Sequence, residues 1–579
     1  METKPPPAAH GRPAGVRELT PRAVLAALGV AIVIGAAYPY VVLKLGFGPN
    51  ISVVAAFFGF LALGIFSRTY NRWENNLVQT AGTAAGQIAF LSWLLAAFDM
   101  LRADPTSGFT VALTPLQTFL WLATAGILGV LLAVPLRKHY IEEEKLTFAD
   151  GVAAGETLVL LDSSGGQARR SAGAMVAAMV SSAAVMLATA RHWVEELISI
   201  GAAWIPVKTG VGFSFSLLSI GSGMIIGLRI CASMLIGLLI SWVLAPGLLI
   251  DAGVIPADAK KVDVLLWVMW PATGMLVMAG LCSLFLKWRS LVATFRSLSG
   301  DAVNSQDFPL RWVIAGALVF SVLLIAIQKY FLGTPVWHSV LAILFSIPLM
   351  LVAIRVLGET NWGPISTMTN VMQGIFGAVA PGDLKASMVS SGITGSVAAE
   401  SEGLMQDYKT GHMIGSTPRL LTWMQLMAVP VGALVLAFMY PMLVEAYGLG
   451  GDNGLSSPIS QRWVGFAKIL TQGFSALHPS ALWGIGIGAF LGIVLTLLEQ
   501  RREWRSFLPS PTGIGIGMLV PAGAVATMFL GAVLDWAWKR RSPRGHASYA
   551  VPLASGLIAG EAIIAVVLSI LYSLKWMTP

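Results

Sequence analysis

Apolar residues in this chain gather into blocks of ~20 separated by short polar stretches, the length a helix needs to cross a hydrocarbon core of about 30 Å. Such blocks run from Pro21 to Val42, Ile51 to Phe66, Leu77 to Phe98, Leu116 to Leu136 and Val264 to Leu286. The second half adds Trp312 to Ala326, Val340 to Ile354, Leu420 to Met439, Ala481 to Leu498 and two more beyond Gly513. A helix satisfies every backbone amide within its own segment, which lipid cannot do for it. The pattern predicts an all-α polytopic membrane protein with about 16 transmembrane helices at that length per span.

Composition sharpens the class. Of 579 residues, 56% are hydrophobic and 11% charged, where a soluble domain carries about 25% charged. Met1 to Thr20, with Pro5, Pro6 and Pro7, reads as a disordered tail. It lacks the apolar core and small-residue cleavage site of a secretory signal, so the first span is expected to be retained. The net charge of +8 does not imply a nucleic-acid partner, because the basic residues sit in loops between spans, where they set orientation. Lys4, Arg12, Arg17 and Arg22, then Arg68 and Arg72, then Arg137, Lys138 and Lys145 alternate with loops holding only Lys44 and Arg102. That alternation predicts a cytoplasmic N-terminus, and the expected location is a bacterial inner (plasma) membrane. Lys539, Arg540, Arg541 and Arg544 would then fall outside. Cys231 and Cys282 lie in apolar blocks and predict reduced thiols, with no disulfide and no metal site.

The chain also echoes itself. Pro115, Gly129, Gly151 and Gly155 recur in order as Pro479, Gly492, Gly513 and Gly517, with a charged loop inside each series, Arg137 to Lys145 and Glu499 to Arg505. Arg68 and Arg355 each close the second span of their half, and Leu-Lys-Trp ends both halves at 286–288 and 574–576. Two repeated halves, 21–300 and 301–579, are the common architecture of secondary transporters, which hold substrate between repeats near the midplane. Glycines cluster at Gly82 and Gly86, Gly151 to Gly155, Gly484 to Gly488 and Gly513 to Gly517. Each costs a helix about 1 kcal/mol. The clusters predict broken or re-entrant helices whose ends face a cavity, the alternative being close helix packing at small residues.

A carboxylate at membrane depth costs about 2.5–3.5 kcal/mol on insertion scales and usually serves an ion or a substrate. Glu74, Glu156, Glu400, Glu402, Asp407 and Glu561 are the candidates. A carboxyl out of water can exchange a proton near neutrality, as proton coupling requires; Glu561, Glu156, Glu400 and Asp407 are the coupling candidates. For Glu561 the competing role is a structural carboxylate at a helix end or beside a basic group. Glu74, Asn75, Asn76, Gln79 and Thr80 open an apolar helix, several of them on one face. They could bind peptide carbonyls and an amino terminus, or cap the helix. Tyr38 and Tyr40 are candidates to line the path.

Other classes are weaker. A nucleotide-driven pump needs Gly-x-x-x-x-Gly-Lys-Ser/Thr and a zinc protease His-Glu-x-x-His; neither occurs. No nucleophile–base pair marks an enzyme, and no cofactor is expected. A channel matches the composition, but would carry flux uncoupled from any gradient.

Gly403 to Arg419 contains Asp407-x-Lys409-Thr410-Gly411 and Gly415-x-x-Pro418-Arg419. This segment resembles one in the oligopeptide transporter (OPT) superfamily, as do Glu74-Asn75-Asn76 with Gln79-Thr80, Arg137 with Glu142 to Lys145, Gly151 and Glu156, and Ser555 to Glu561. The resemblance, to a prokaryotic OPT/YSL-like member, covers residues 22 to 576. It implies a 16-span fold in two halves that takes up small peptides or metal–chelate complexes, with protons as driving ion.

Overall fold

A computed structural model describes residues 15–45, 51–66, 70–162, 166–195, 197–199, 207, 209–286, 306–449, 455, 457–471, 478–501, 504 and 507–573. Arg68, both Lys-Trp pairs, the boundary between the halves at 300 and part of the loop after Glu499 lie outside the described residues. The first half holds α1 Pro21–Leu45, α2 Ile51–Phe66, α3 Arg72–Phe90, α4 Ser92–Ala103, α5 Pro115–Ala133, α6 Ala149–Leu161 and α7 Gly166–Ala190. A short hairpin follows, β1 Leu197–Ser199 antiparallel to β2 Gly212–Ser214 with Leu197 opposite Ser214. Next come α8 Leu217–Ile226, α9 Leu228–Leu238, α10 Ala245–Asp251 and α11 Lys261–Leu286. The second half holds α12 Leu310–Phe331, α13 Val336–Thr360, α14 Ile365–Val379, α15 Leu384–Ile414 and α16 Pro418–Tyr447. It closes with α17 Pro458–Thr471, α18 Pro479–Leu498, α19 Pro511–Leu519, α20 Ala522–Arg541 and α21 Pro543–Ser573.

Among the described residues, 11 helical stretches are long and apolar enough to cross a membrane. The chain is an integral, all-α, polytopic membrane protein. The 11 fall short of the expected 16, and one reason is physical. The 31-residue α15 is too polar to be among them, yet 27 of its residues are buried. In α3, 16 of 19 are buried. A helix enclosed by other helices meets protein rather than lipid and can carry polar side chains if they find partners. Thus α15 packs on α3, α5, α6, α13, α14 and α16, and α3 also packs on α1 and α2. The outer α12 does the reverse, turning Leu318, Val319 and Val322 outward.

The glycine clusters do not break their helices. Gly82 and Gly86 lie inside α3, Gly151 and Gly155 inside α6, and Gly484 to Gly488 inside α18. They admit close neighbours: a Cβ on Gly86 would strike Ile51, and one on Gly488 the backbone of Pro271. The interruptions fall elsewhere, at Leu91 between α3 and α4, and at Gly227 between α8 and α9. Gly227 has φ 92°, a conformation that favours glycine. Only the Gly513–Gly517 run sits in a short helix, nine residues ended by Val520 before Pro521.

Pro115 and Pro479 each occupy the start of a helix, where a missing N–H costs nothing. Gly129, Gly151 and Gly155 abut Val397, Gln406 and Met413, all from the other half. Gly492, Gly513 and Gly517 abut Met275, Ser233 and Met234, again from the other half.

One end of the bundle is charged. Arg22 pairs with Glu74, Arg72 with Asp162, and Arg137 with Glu142 and Asp307. Arg355 bridges Glu144 at 2.5 Å and Glu359 at 2.8 Å, Thr512 donates to Glu359, and Arg229 pairs with Glu499. Of the expected tail, residues 1–14 lie outside the described residues and 15–20 within them. Glu18 is 2% exposed and accepts from the Thr417 N–H and hydroxyl at the start of α16, where a carboxylate is favoured.

Candidate functional site

The most polar stretch of buried structure lies where α3, α15 and α16 meet. Residues seven apart on a helix share a face, so Glu400 and Asp407 point the same way from α15, about 10 Å apart along the axis at 1.5 Å per residue. Glu400 is fully buried; its Oε2 accepts from Gln425 Nε2 of α16 at 3.0 Å, and Oε1 has no partner. Asp407 is equally buried; its Oδ1 accepts from Gln79 Nε2 of α3 at 2.5 Å, and Oδ2 has no partner. Neither forms an ion pair among the described residues. Gln79 Nε2 also donates to Thr83 at 2.9 Å, whose hydroxyl reaches Ser52 of α2 at 3.4 Å. Asn76 Nδ2 donates to Ser416 at 2.8 Å.

These contacts fix which atoms are left over. A carboxylate only accepts, so each glutamine must present its NH2 to it, and the amide oxygen is turned away. Oxygens of Asn76, Gln79, Glu400, Asp407 and Gln425 are buried without a donor. The site is therefore lined by hydrogen-bond acceptors. An unmet buried polar group costs about 1–3 kcal/mol, so five together need a functional explanation. Glu402, two residues from Glu400, leaves the helix on another side against Gly363, with Oε1 also unpartnered.

The other candidates are placed differently. Glu74 is bonded to Arg22 and Thr20. Asn75 faces α2, donating to the Ala56 carbonyl at 2.9 Å and to Tyr70 at 3.0 Å. Thr80 donates to the Asn76 carbonyl of its own helix at 2.9 Å. The expected common face of α3 thus reduces to Asn76 and Gln79. Tyr38 and Tyr40 are buried in α1, and the Tyr40 ring lies 5.3 Å from that of Tyr447. Glu156 is half-buried on α6. Glu561 stands at a helix end: it accepts from Ser216 at 2.8 Å and from the Leu218 N–H at 2.9 Å, at the start of α8. Gln425, Ser416 and Thr83 escaped the sequence reading. Gln425 had a usable signal, an amide inside the apolar block Leu420 to Met439. Among the described residues no cluster of three His, Cys, Asp or Glu could hold a metal ion.

The family model described as OPT oligopeptide transporter protein matches residues 18–572. A Haemophilus influenzae protein named "Putative oligopeptide transporter" is 25% identical over 598 residues, covering 92% of each chain. The rice metal-nicotianamine transporter YSL2 is 25% identical over 636 residues, 96% of this chain and 93% of its own. A Saccharomyces cerevisiae protein named "Putative oligopeptide transporter YGL114W" is 28% identical over 267 residues; the match spans 44% of this chain and only 37% of the yeast protein.

Proposed function

Because the chain belongs to the oligopeptide transporter (OPT) family of membrane transporters, we propose that it takes up small peptides together with protons by alternating access. One observation carries this reading: the donorless oxygens of Asn76, Gln79, Glu400, Asp407 and Gln425 at the heart of the bundle. A peptide amino terminus is a cation with N–H donors and suits such a lining. A proton suits the carboxyls. In a dry site without a cation, a carboxylate's charge has to be neutralised before the protein closes around it. Closure then depends on protons, or a ligand's positive charge, having arrived at Glu400 and Asp407. Asn76 and Gln79 contact the substrate, and α15 is the element that both halves enclose.

The interlocked glycines support two related halves moving against each other. Orientation follows Lys and Arg rather than net charge, so Arg22, Arg72, Arg137 and Arg355 at the charged end of the bundle support a cytoplasmic N-terminus. A second reading, uptake of a metal–chelate complex, is favoured by the full-length match to the rice metal-nicotianamine transporter. Proteoliposomes test both. Trialanine should accumulate inside when the outside is acidic, and an uncoupler should abolish the accumulation. Accumulation that persists after the pH gradient collapses would sink proton coupling; accumulation of nickel–nicotianamine alone would move the substrate to the second reading.

A further inference from the structure

The α3 pair of Asn76, bonded to Ser416, and Gln79, bonded to Asp407, has a counterpart. Asn76-Leu77-Val78-Gln79 of α3 is echoed by Asn370-Val371-Met372-Gln373 of α14. Both helices pack on α15, α3 toward its C-terminal part and α14 toward its N-terminal part. Gln373 is fully buried, and its Nε2 donates to Met388 Sδ of α15 at 3.3 Å. A thioether only accepts, so Gln373 must turn its NH2 to the sulfur, as Gln79 turns its NH2 to Asp407. The result is the same residue of unmet chemistry. Asn370 Oδ1 and Gln373 Oε1 are buried without a donor, as are Asn76 Oδ1 and Gln79 Oε1.

Met388 and Asp407 are 19 residues apart on α15, about 28 Å at 1.5 Å per residue, close to the ~30 Å of the hydrocarbon core. Between them α15 buries Ser390, Ser391, Thr394, Ser396, Glu400 and Ser401. We propose that Asn370 and Gln373 form a second substrate subsite, at the opposite end of α15 from Asn76 and Gln79, which takes N–H-bearing groups (ammonium or amide) of the same substrate. The substrate passes from one amide pair to the other along α15. This rests on the transport reading above, but its test has an arm that needs no substrate.

That arm is the thermal melt of the detergent-purified full-length protein without ligand. Leucine at either position removes an amide oxygen that has no donor, and at Gln373 it also removes one N–H···S bond, so the net cost is at most about 1 kcal/mol. Gln373→Leu and Asn370→Leu should melt close to the wild-type midpoint. A clearly lower midpoint, or failure to fold, assigns these amides to packing and overturns the subsite. The second arm is uptake by proteoliposomes of trialanine and of nickel–nicotianamine. On whichever probe the wild type carries, both variants should lose uptake by about tenfold or more, the equivalent of ~1.4 kcal/mol, with a raised KM. Wild-type uptake in both variants overturns the subsite while leaving the transport reading intact. A wild type that carries neither probe refutes the substrate reading instead, and the melt then decides the subsite alone.

Discussion

Glu400→Gln isolates proton coupling from structure. Glutamine has the shape of glutamate, so the packing of Glu400 against Gly126 and beside Val429 is kept. Its carbonyl oxygen can still accept from Gln425 Nε2, now 3.0 Å from Oε2. Its new NH2 would replace an oxygen that has no partner, with the donorless Gln425 Oε1 on the facing side chain. Stability should therefore change by no more than about 1 kcal/mol, one net hydrogen bond. The functional change is larger. Each proton carried with the substrate adds 1.36 kcal/mol per pH unit, about tenfold in accumulation. If Glu400 and Asp407 each carry one, the slope of log accumulation against the pH gradient is about 2 in the wild type, about 1 in Glu400→Gln, and about 0 with Asp407→Asn added. The assay is trialanine uptake into proteoliposomes at several imposed gradients, with counterflow exchange measured on the same preparations. Exchange should survive in both variants. An unchanged slope in Glu400→Gln, with a normal melting midpoint, would remove Glu400 from coupling.

Alanine at Asn76 or Gln79 should weaken substrate binding while the protein stays folded, whereas Asn75→Ala should leave affinity alone and lower the melting midpoint, since Asn75 ties α3 to the Ala56 carbonyl; equal affinities in all three would return these amides to a capping role. Arg355→Met removes the cation shared by Glu144 and the partly buried Glu359, leaving them to His139 and Thr512, and should destabilise by about 3 kcal/mol, read as a melting shift that Glu144→Gln partly reverses; an unchanged midpoint would refute the network. Glu561→Gln removes a charge from the start of α8 and should cost about 1 kcal/mol, lowering exchange and accumulation together; lost accumulation with intact exchange would restore Glu561 as a coupling group.

What the sequence revealed and what it hid divide along one physical line. A helix facing lipid must be apolar along its length, so α12 and α18, little of whose spans is buried, are legible as spans from composition alone. A helix facing protein escapes that demand, and α15, the most enclosed of the long ones, carries no apolar block at all. Its motif could be noticed, but not its position at the centre. Glycines were misread for the same reason: a run such as Gly484 to Gly488 can break a helix or admit a neighbour's backbone, and only the presence of Pro271 against it decides. Carboxylates divide likewise. Glu561 has apolar residues on both sides, whereas Glu400 has Val397 to Ala399 before it but Ser401 and Glu402 after it, so sequence alone favours Glu561. What separates them is 345 residues away in one case, the N–H of Leu218 and the hydroxyl of Ser216 beside it, and 25 away in the other, the amide of Gln425. The first leaves Glu561 doubly bonded at a helix start; the second leaves Glu400 with an oxygen facing nothing. Local pattern can say that a buried carboxyl must be compensated, and only the partner's identity says whether the compensation is permanent or has to be delivered in each cycle.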